Sequence, residues 1–567
     1  MGCSYVLLLL SSIIVAVLGQ CHHPFLQSST DSTESQPYRT AYHFQPPKNW
    51  MNDPNGPMIY KGIYHLFYQY NPRSAVWGYI VWGHSTSTDL VNWNSHPPAL
   101  LPLDPYDING CWSGSATILQ DGKPAILYTG IDSNNNQVQN LAVPKDPSDP
   151  YLVEWIKSPH NPIMEPNAVN KINSTLFRDP STAWLGPDGR WRVIVGNGRE
   201  HNGAALLYRS KDFVHWIEAE HPLHSSNETG MWECPDFFPV SNDIGEDGLD
   251  TSEINFPGVK HVLKTSVFRS LVECYTVGTY DHQKDIFIPD EGSVENESGL
   301  RLDYGKYYAS KSFFDSDKNR RILLSWVNES TSSDIDIIKG WSGLQAFPRR
   351  IWLDKSGKQL IQWPVKEIEK LRTKQVKIPT TTLKAGSVLE VLGVTGAQAD
   401  VEIFFSIPML EKAEVLESSW TNPQELCSQR GASDNSGVGP FGLLVLASSD
   451  IQEFTAVFFI IFQHNNKFKV LICSDQKKSS LGLDYDKTTY GAFLDVDPVK
   501  QNISLRTLID HSIVESFGGG GKTCITARVY PTLAINDNAH MFVFNNGSQH
   551  VEISNLSAWS LEQAQIN

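Results

Sequence analysis

A six-residue pattern ending in tryptophan recurs three times in the first half of this chain: TDLVNW at 88–93, PYLVEW at 150–155 and KDFVHW at 211–216. Each copy follows or borders a run of strand length. A motif that returns among short strands fits blades arranged around an axis. The region 38–363 has the matching texture. IYHLFYQY, PAILYTG, RWRVIVG, AALLYRS and RILLSWV are aromatic or β-branched runs, as strands require. Turn signals at Asn55-Gly56, Asp121-Gly122 and Pro187-Asp188-Gly189 punctuate them, and helical periodicity is scarce. Four-stranded blades of about 60 residues would number five here. A closed ring of blades ends its axis in a funnel, where loops distant in sequence meet.

At 364–372 the texture changes to PVKEIEKLR, the best short helix in the chain, and 364–378 reads as a linker. Alternating strand signals then resume in DVEIFFSI, TAVFFIIF, KVLICS, SLRTLID and HMFVFN. The expected fold is therefore all-β: a five-bladed β-propeller over 38–363 followed by a β-sandwich over 379–567. DHSIVESFGGGG at 510–521 lacks the ending of a phosphate-binding loop and is expected to be a strand and turn.

The N-terminus bears on compartment. Residues 1–19 carry an apolar run from Val6 to Leu18, read as a signal peptide, with a signal anchor as the alternative. The run is short for a membrane span. Residues 20–37 are polar and read as a disordered leader. Seven N-x-S/T sequons, at Asn173, Asn227, Asn296, Asn328, Asn502, Asn546 and Asn555, favour a secretory route. Of eight cysteines, Cys3 falls in the signal, and none has zinc spacing, so no metal or cofactor is implied. Cys427 and Cys473, both in the β-rich second half, are the candidate disulfide, while Cys234 and Cys274 are expected buried and reduced. The net charge of −16, without a long basic run, argues against nucleic acid as a partner. A monomer free of the membrane is expected.

With 62 acidic residues, a single carboxylate means little. Three stand out by their surroundings: Asp53 in WMNDPNG, Asp179 in FRDP and Glu233 in WECPD. Pro54 keeps Asp53 out of helical space, and Asn55-Gly56 should then turn the chain sharply. Trp232 and Cys234 should desolvate Glu233 and raise its pKa, as a general acid requires. Arg178 should keep Asp179 ionised. The plainer alternatives are an Asx turn at Asp53, a local salt bridge at Asp179 and a strand-edge glutamate at Glu233, with Asp236 as the rival acid. A secreted, tryptophan-rich chain with three such sites suits cleavage of a sugar acetal, which rests on paired carboxylates.

These strings, with CWSGSAT at 111–117, resemble the plant acid invertase and fructan exohydrolase group of glycoside hydrolase family 32, from about Tyr38 to the C-terminus. The resemblance implies the same propeller and sandwich, with Asp53 as nucleophile, Glu233 as acid/base and Asp179 as transition-state stabiliser. The mechanism it implies is retaining, with two carboxyl groups about 5–5.5 Å apart. It further implies a sugar pocket of Trp50, Asn52, Gln69, Trp77, Trp112, Ser113 and Arg178. The tryptophans would wall the sugar face; otherwise they are core. WECPD resembles the cell-wall branch, which implies an apoplastic enzyme. Invertases of that branch tend to carry an Asp and, three residues later, a Lys after a K-x-S stretch. Here Phe268 and Leu271 occupy those places, which favours a fructan over sucrose as substrate. The alternatives are an invertase in which Arg269 or Glu273 compensates, a fructosyltransferase, and a non-catalytic sugar-binding relative. His65 and His84 read as core or surface residues.

Overall fold

The computed structural model describes residues 36–567 apart from 200, 228, 254 and 255. The expected signal peptide, Cys3, Cys21 and nearly all of the leader lie outside the described residues. Five sheets in chain order form a ring of blades. In the first, the innermost strand Asn49–Tyr60 is followed outward by Ile63–Asn71, Val81–Ser87 and Asn94–Leu100. The second runs Cys111–Ile118, Pro124–Ile131, Gln137–Pro144 and Trp155–Lys157. In the third, the innermost strand is broken into Phe177–Arg178 and Trp184–Leu185, both paired with Trp191–Arg199; Asn202–Ser210 and Trp216–Glu218 follow. The fourth runs Trp232–Val240, Lys260–Val267, Val272–Asp281 and Ile286–Pro289. The fifth runs Tyr308–Asp315, Arg320–Val327, Arg349–Leu353 and Leu360–Pro364. Trp341–Ser342, from the fifth-blade segment, pairs in parallel with Asn49 and Trp50, which ties the last blade to the first.

The repeated hexapeptide is the turn from the third to the outermost strand of blades one to three. Its apolar third residue adopts a left-handed φ: 65° at Leu90, 45° at Leu152 and 66° at Phe213. That backbone is costly for a bulky side chain, and local contacts offset it. Asp89 Oδ1 accepts from the amides of Val91 and Asn92, and Asp212 Oδ1 from those of Val214 and His215. The indole N–H of Trp155 donates to the Leu152 carbonyl at 2.8 Å, and that of Trp216 to Phe213 at 3.1 Å. All three left-handed residues plug the core, each 3% exposed or less.

The linker helix is a 3-10 turn, Lys366–Leu371. Beyond it two seven-stranded sheets face each other. Their alternating inner residues, among them Val401, Ile403, Phe405, Phe441, Leu443, Val457 and Phe459, form one apolar core. Among the described residues two short α-helices lie where the sequence shows no helical signal: Ser333–Lys339 and Pro423–Arg430. The second carries Cys427, bonded to Cys473 on the strand Lys467–Asp475. Cys111, Cys234, Cys274 and Cys524 are free thiols and buried. Among the sequon asparagines, Asn328 and Asn546 are half-buried and the other five are exposed. No helix among the described residues is long and apolar enough to cross a membrane.

The DHSIVESF string is a strand and turn, as expected, and it is also the lock between the two halves. Asp510 accepts from the backbone amides of Ala41, Tyr42 and His43 and from His43 Nδ1, all at 2.7–2.9 Å. His43 Nε2 meets Glu515 at 3.0 Å, and Glu515 also accepts from the Phe347 amide and pairs with Arg349 at 2.7 Å. These side chains are fully buried. Gly521, at φ 92°, brings its backbone against Gln362 of the last blade, where a Cβ would lie 2.0 Å from the carbonyl oxygen. Burial favours neutral His43, yet its two carboxylate partners outweigh this and raise its pKa above the ordinary value. Glu515 is resisted by burial but held down to about 2 by Arg349 and His43.

A group with a raised pKa stabilises fully below its unfolded value, about 6.5 for histidine, and loses that contribution as pH climbs through its folded value. Buried His65 and His261, lowered to about 4 and about 3, act in the opposite sense, so the test must be differential. His43→Gln should lower stability by several kcal/mol, on the order of 3 for breaking a buried ion pair. The gap from wild type should be widest below about pH 6.5 and narrow at higher pH. Chemical denaturation at pH 5 and pH 9 reads both values; a gap that widens toward pH 9 contradicts the assignment.

Candidate active site

The five innermost strands enter the ring at one end of its axis, and there their register breaks. Slips occur at Met51/Pro54 and Asn55/Met58, at Cys111/Gly114, at Glu233/Asp236 and at Tyr308/Lys311. In the third blade the strand is interrupted outright after Arg178. Left-handed backbone accompanies three of these sites: φ is 67° at Asp179, 43° at Cys234 and 55° at Ala309. Strands alternate faces residue by residue, so an extra unpaired residue is what re-aims a side chain toward the axis. Each such non-glycine conformation costs roughly 1–3 kcal/mol.

Asn55 and Gly56 do not form the sharp turn expected of them. They lie inside the continuous strand Asn49–Tyr60 as a bulge. Gly56, at φ 44°, packs where a Cβ would sit 3.3 Å from the second blade's Ala116 amide, so the sharp bend becomes a close approach between blades.

The three carboxylates gather around Cys234. Its Sγ lies 3.6 Å from Asp53 Oδ2 and 3.5 Å from Asp179 Oδ2, and its amide donates to Asp179 Oδ2 at 2.9 Å. Asp53 also accepts from Ser113 Oγ at 2.6 Å and from Asn52 Nδ2 at 3.0 Å. Glu233 is held from two sides: Arg178 donates to Oε1 at 2.9 Å and the Tyr308 hydroxyl to Oε2 at 2.6 Å. Arg178 thus donates to the carboxylate 55 residues away, while its neighbour Asp179, turned by its left-handed φ of 67°, accepts from the Cys234 amide. Gln137 Oε1 and the Thr175 carbonyl both accept from Arg178 Nη1 at 3.2 Å.

This crowding sets the proton chemistry. Burial, then the nearby Asp179, push Asp53 up to about 7 against the pull of Ser113. Burial also raises Glu233, with Arg178 opposing. The desolvation expected of Trp232 comes instead from the ring of strands, since Trp232 is buried in the apolar core beside Ile194 and Leu207. Burial, then Asp179 and Asp53, drive the Cys234 thiol far above its usual value. Burial and Glu233 do the same for the Tyr308 phenol, which remains a donor.

The remaining anticipated positions spread around this centre. The Trp50 indole donates to Asn52 Oδ1 at 2.9 Å and faces Trp326 at 5.9 Å. Trp77, 55% exposed, meets Trp112 edge-on at 5.8 Å, which is a wall open to solvent and not core. Gln69 is buried and donates to the Cys111 carbonyl at 3.1 Å. Phe268 and Leu271 sit in the turn between Lys260–Val267 and Val272–Asp281, about half exposed at 52% and 48%. That turn adjoins Glu233, which pairs with Ser266, and the Phe268 ring lies 5.3 Å from the Arg178 guanidinium. Two rival readings lose their geometry. Asp236 is buried and accepts from the Ser312 amide. Glu273 is buried, accepting from Ser266 and the Ser310 amide. Tyr308, Trp326 and Gln345, whose side chain donates to the Asn52 carbonyl, went unrecognised in the sequence. Tyr308 had one available signal, its place at the start of the fifth innermost strand.

The profile described as "Glycosyl hydrolases family 32 N-terminal domain" matches residues 43–364, and that described as "Glycosyl hydrolases family 32 C terminal" matches residues 367–560. An insoluble isoenzyme of β-fructofuranosidase from Arabidopsis thaliana is 63% identical over 550 residues, spanning 96% of this chain and 92% of that protein. A fructan 6-exohydrolase from Beta vulgaris is 61% identical over 538 residues, spanning 94% of this chain and 88% of that protein. The crystal structure of fructan 1-exohydrolase IIa from Cichorium intybus matches with a TM-score of 0.91 at 54% identity, covering 94% of this chain and 98% of that one.

The position of Cys234 makes its own prediction. A buried thiol flanked by two carboxylates holds almost no thiolate, the reactive form. Iodoacetamide at pH 8 should leave Cys234 unmodified in the folded protein and alkylate it after denaturation, as read by peptide mass spectrometry. Rapid alkylation in the folded state would contradict this environment.

Proposed function

The chain belongs to glycosyl hydrolase family 32, hydrolases of β-fructosides, and from that premise we propose that it is a fructan exohydrolase. It releases terminal fructose by a retaining double displacement. One observation carries the substrate choice: the apolar Phe268 and Leu271 at the rim beside Glu233 and Arg178. The leaving sugar must lie against the acid that protonates it. Phe268 and Leu271 can exchange no side-chain hydrogen bonds with glucose hydroxyls there. Unmet polar groups cost about 1–3 kcal/mol each, a penalty that falls on sucrose more than on a chain held at further subsites. Burial of Glu273 also removes a group that would otherwise compensate. The named relatives fall on both sides of the choice, so the reading rests on the rim. The tryptophan wall at Trp77 and Trp112 supports a carbohydrate ligand over a purely structural role.

In the first step the Asp53 carboxylate attacks the anomeric C2 of the terminal fructosyl unit. The C2–O bond to the leaving sugar breaks, and the Glu233 proton passes to that oxygen. In the second step Glu233, now a base, takes a proton from water; the water oxygen bonds to C2 and Asp53 departs. Asp179, fixed by the Cys234 amide, accepts from sugar hydroxyls and stabilises positive charge building at C2. Asp53 and Glu233 compete for one proton, so their titration belongs to the pair. The productive form places it on Glu233, and Arg178 and Tyr308 ready the carboxylate that remains after transfer. The charged, secreted character of the sequence and the cell-wall-type string WECPD support action outside the cell, in the apoplast, on an oligosaccharide.

Purified protein assayed on levan, inulin and sucrose should cleave at least one fructan far faster than sucrose. Phe268→Asp with Leu271→Lys should raise sucrose hydrolysis roughly tenfold, the worth of about one restored hydrogen bond. Fast sucrose hydrolysis with no fructan cleavage sinks the substrate assignment, and inertness on all three favours a binding protein. A further test reads the acid. The Tyr308 hydroxyl stabilises ionised Glu233, so its loss raises that pKa. Tyr308→Phe should cut kcat/KM by roughly tenfold or more, as for a hydrogen bond to a charged group, and move the alkaline limb of the pH profile upward. A downward move contradicts the role.

A further inference from the structure

Behind Glu233 lies a buried ion pair that the reaction itself does not use. Lys264 Nζ is 3.4 Å from Glu273 Oε2, and both side chains are almost wholly buried, at 2% and 0% exposed. Burying a charge pair is expensive, and a close-packed apolar pair would hold a blade as well, so its partners matter. Lys264 donates to the backbone carbonyl of Cys234 at 2.7 Å and to that of Ser310 at 2.5 Å. Glu273 Oε1 accepts from the Ser310 amide at 2.7 Å and from Ser266 Oγ at 2.9 Å.

Both carbonyls belong to the bulges. Cys234, at φ 43°, follows Glu233, and Ser310 follows Ala309, at φ 55°, the neighbour of Tyr308. Bulging takes backbone groups out of ladder pairing, and buried groups left so are costly. One ammonium therefore bridges the two strained turns that present Glu233 and the tyrosine bonded to it, across the boundary between the fourth and fifth blades. We propose that Lys264 and Glu273 are positioning residues that hold Glu233 and Tyr308 in register for proton transfer to the leaving group. This rests on Glu233 being the acid. Neither residue meets the sugar, and the two act only through the backbone of the bulges.

A misplaced acid harms a reaction in proportion to how much its leaving group needs a proton. Lys264→Met should therefore lose at least tenfold more kcat/KM, which reports the first displacement alone, on a fructan than on 4-nitrophenyl β-D-fructofuranoside, whose phenolate departs without help, since general acid catalysis is worth about a hundredfold or more. Lys264→Arg, which keeps the charge and the donors, should recover part of the difference. Equal losses on both substrates in a protein of unchanged melting temperature, or no loss at all, overturn the proposal. Should Lys264→Met fail to fold, Glu273→Gln carries the same comparison, with a smaller split expected and an equal change fatal. Glu233→Ala serves as the reference. If it shows no split, the assignment of the acid has failed; if it splits and the Lys264 and Glu273 variants do not, only the positioning role has failed.

Discussion

Everything at the mouth of the ring depends on backbone that is not quite a strand. Five innermost strands converge on one axis, and a regular strand would send alternate side chains into the funnel and into the blade interior. The adjacent polar residues Asn52-Asp53, Arg178-Asp179 and Trp112-Ser113 could not then all serve one centre. The bulges break the alternation where it matters, and left-handed φ at Asp179, Cys234 and Ala309 marks the places. Their cost, roughly 1–3 kcal/mol each, is met by specific anchors: the Cys234 amide to Asp179, Ser113 to Asp53, and Lys264 across two bulge carbonyls. Strain and electrostatics are thus one design, since the atoms that relieve the backbone also order the carboxylates.

Three carboxylates in one buried space cannot all ionise cheaply. The site answers with a proton retained near neutrality at Asp53, a guanidinium given to Glu233, and a thiol kept protonated between Asp53 and Asp179. The same logic recurs at the junction of the two halves, where His43 and Arg349 neutralise Asp510 and Glu515 out of contact with water. There the charges are paired and serve stability. In the funnel the balance is left one proton short of settled, which is what acid–base work requires.

Much of this was legible in the sequence, and the gaps follow physical lines. The hexapeptide repeat revealed blades because its turn uses local chemistry, an Asp cap and a tryptophan reaching back. It appears only three times because the fourth and fifth blades reach their outermost strands from Asp281 and Leu353 by short turns without a tryptophan. Asp53, Asp179 and Glu233 stood out because proline, tryptophan and tight-turn residues flank them. Partnerships between blades left no such trace: Arg178 was read against its chain neighbour, and Tyr308 in YGKYYAS looks like any strand residue. The helices Ser333–Lys339 and Pro423–Arg430 escaped notice because each is two turns long, too short to develop periodicity. Lys264 and Ser266 were visible as a K-x-S landmark, and the bridge from Lys264 to the bulges beside Glu233 and Tyr308 was not.

The central claim is that the bulged strands aim Asp53 at the anomeric carbon while Glu233 commands the proton. Trapping the covalent intermediate tests it most directly. Glu233→Gln incubated with 4-nitrophenyl β-D-fructofuranoside should release nitrophenol in a burst and then stall, because the second step lacks its base. Peptide mass spectrometry of the quenched protein should find one fructosyl group, on Asp53. A fructosyl group on Asp179, or steady turnover with no adduct and inversion at C2, would contradict the account.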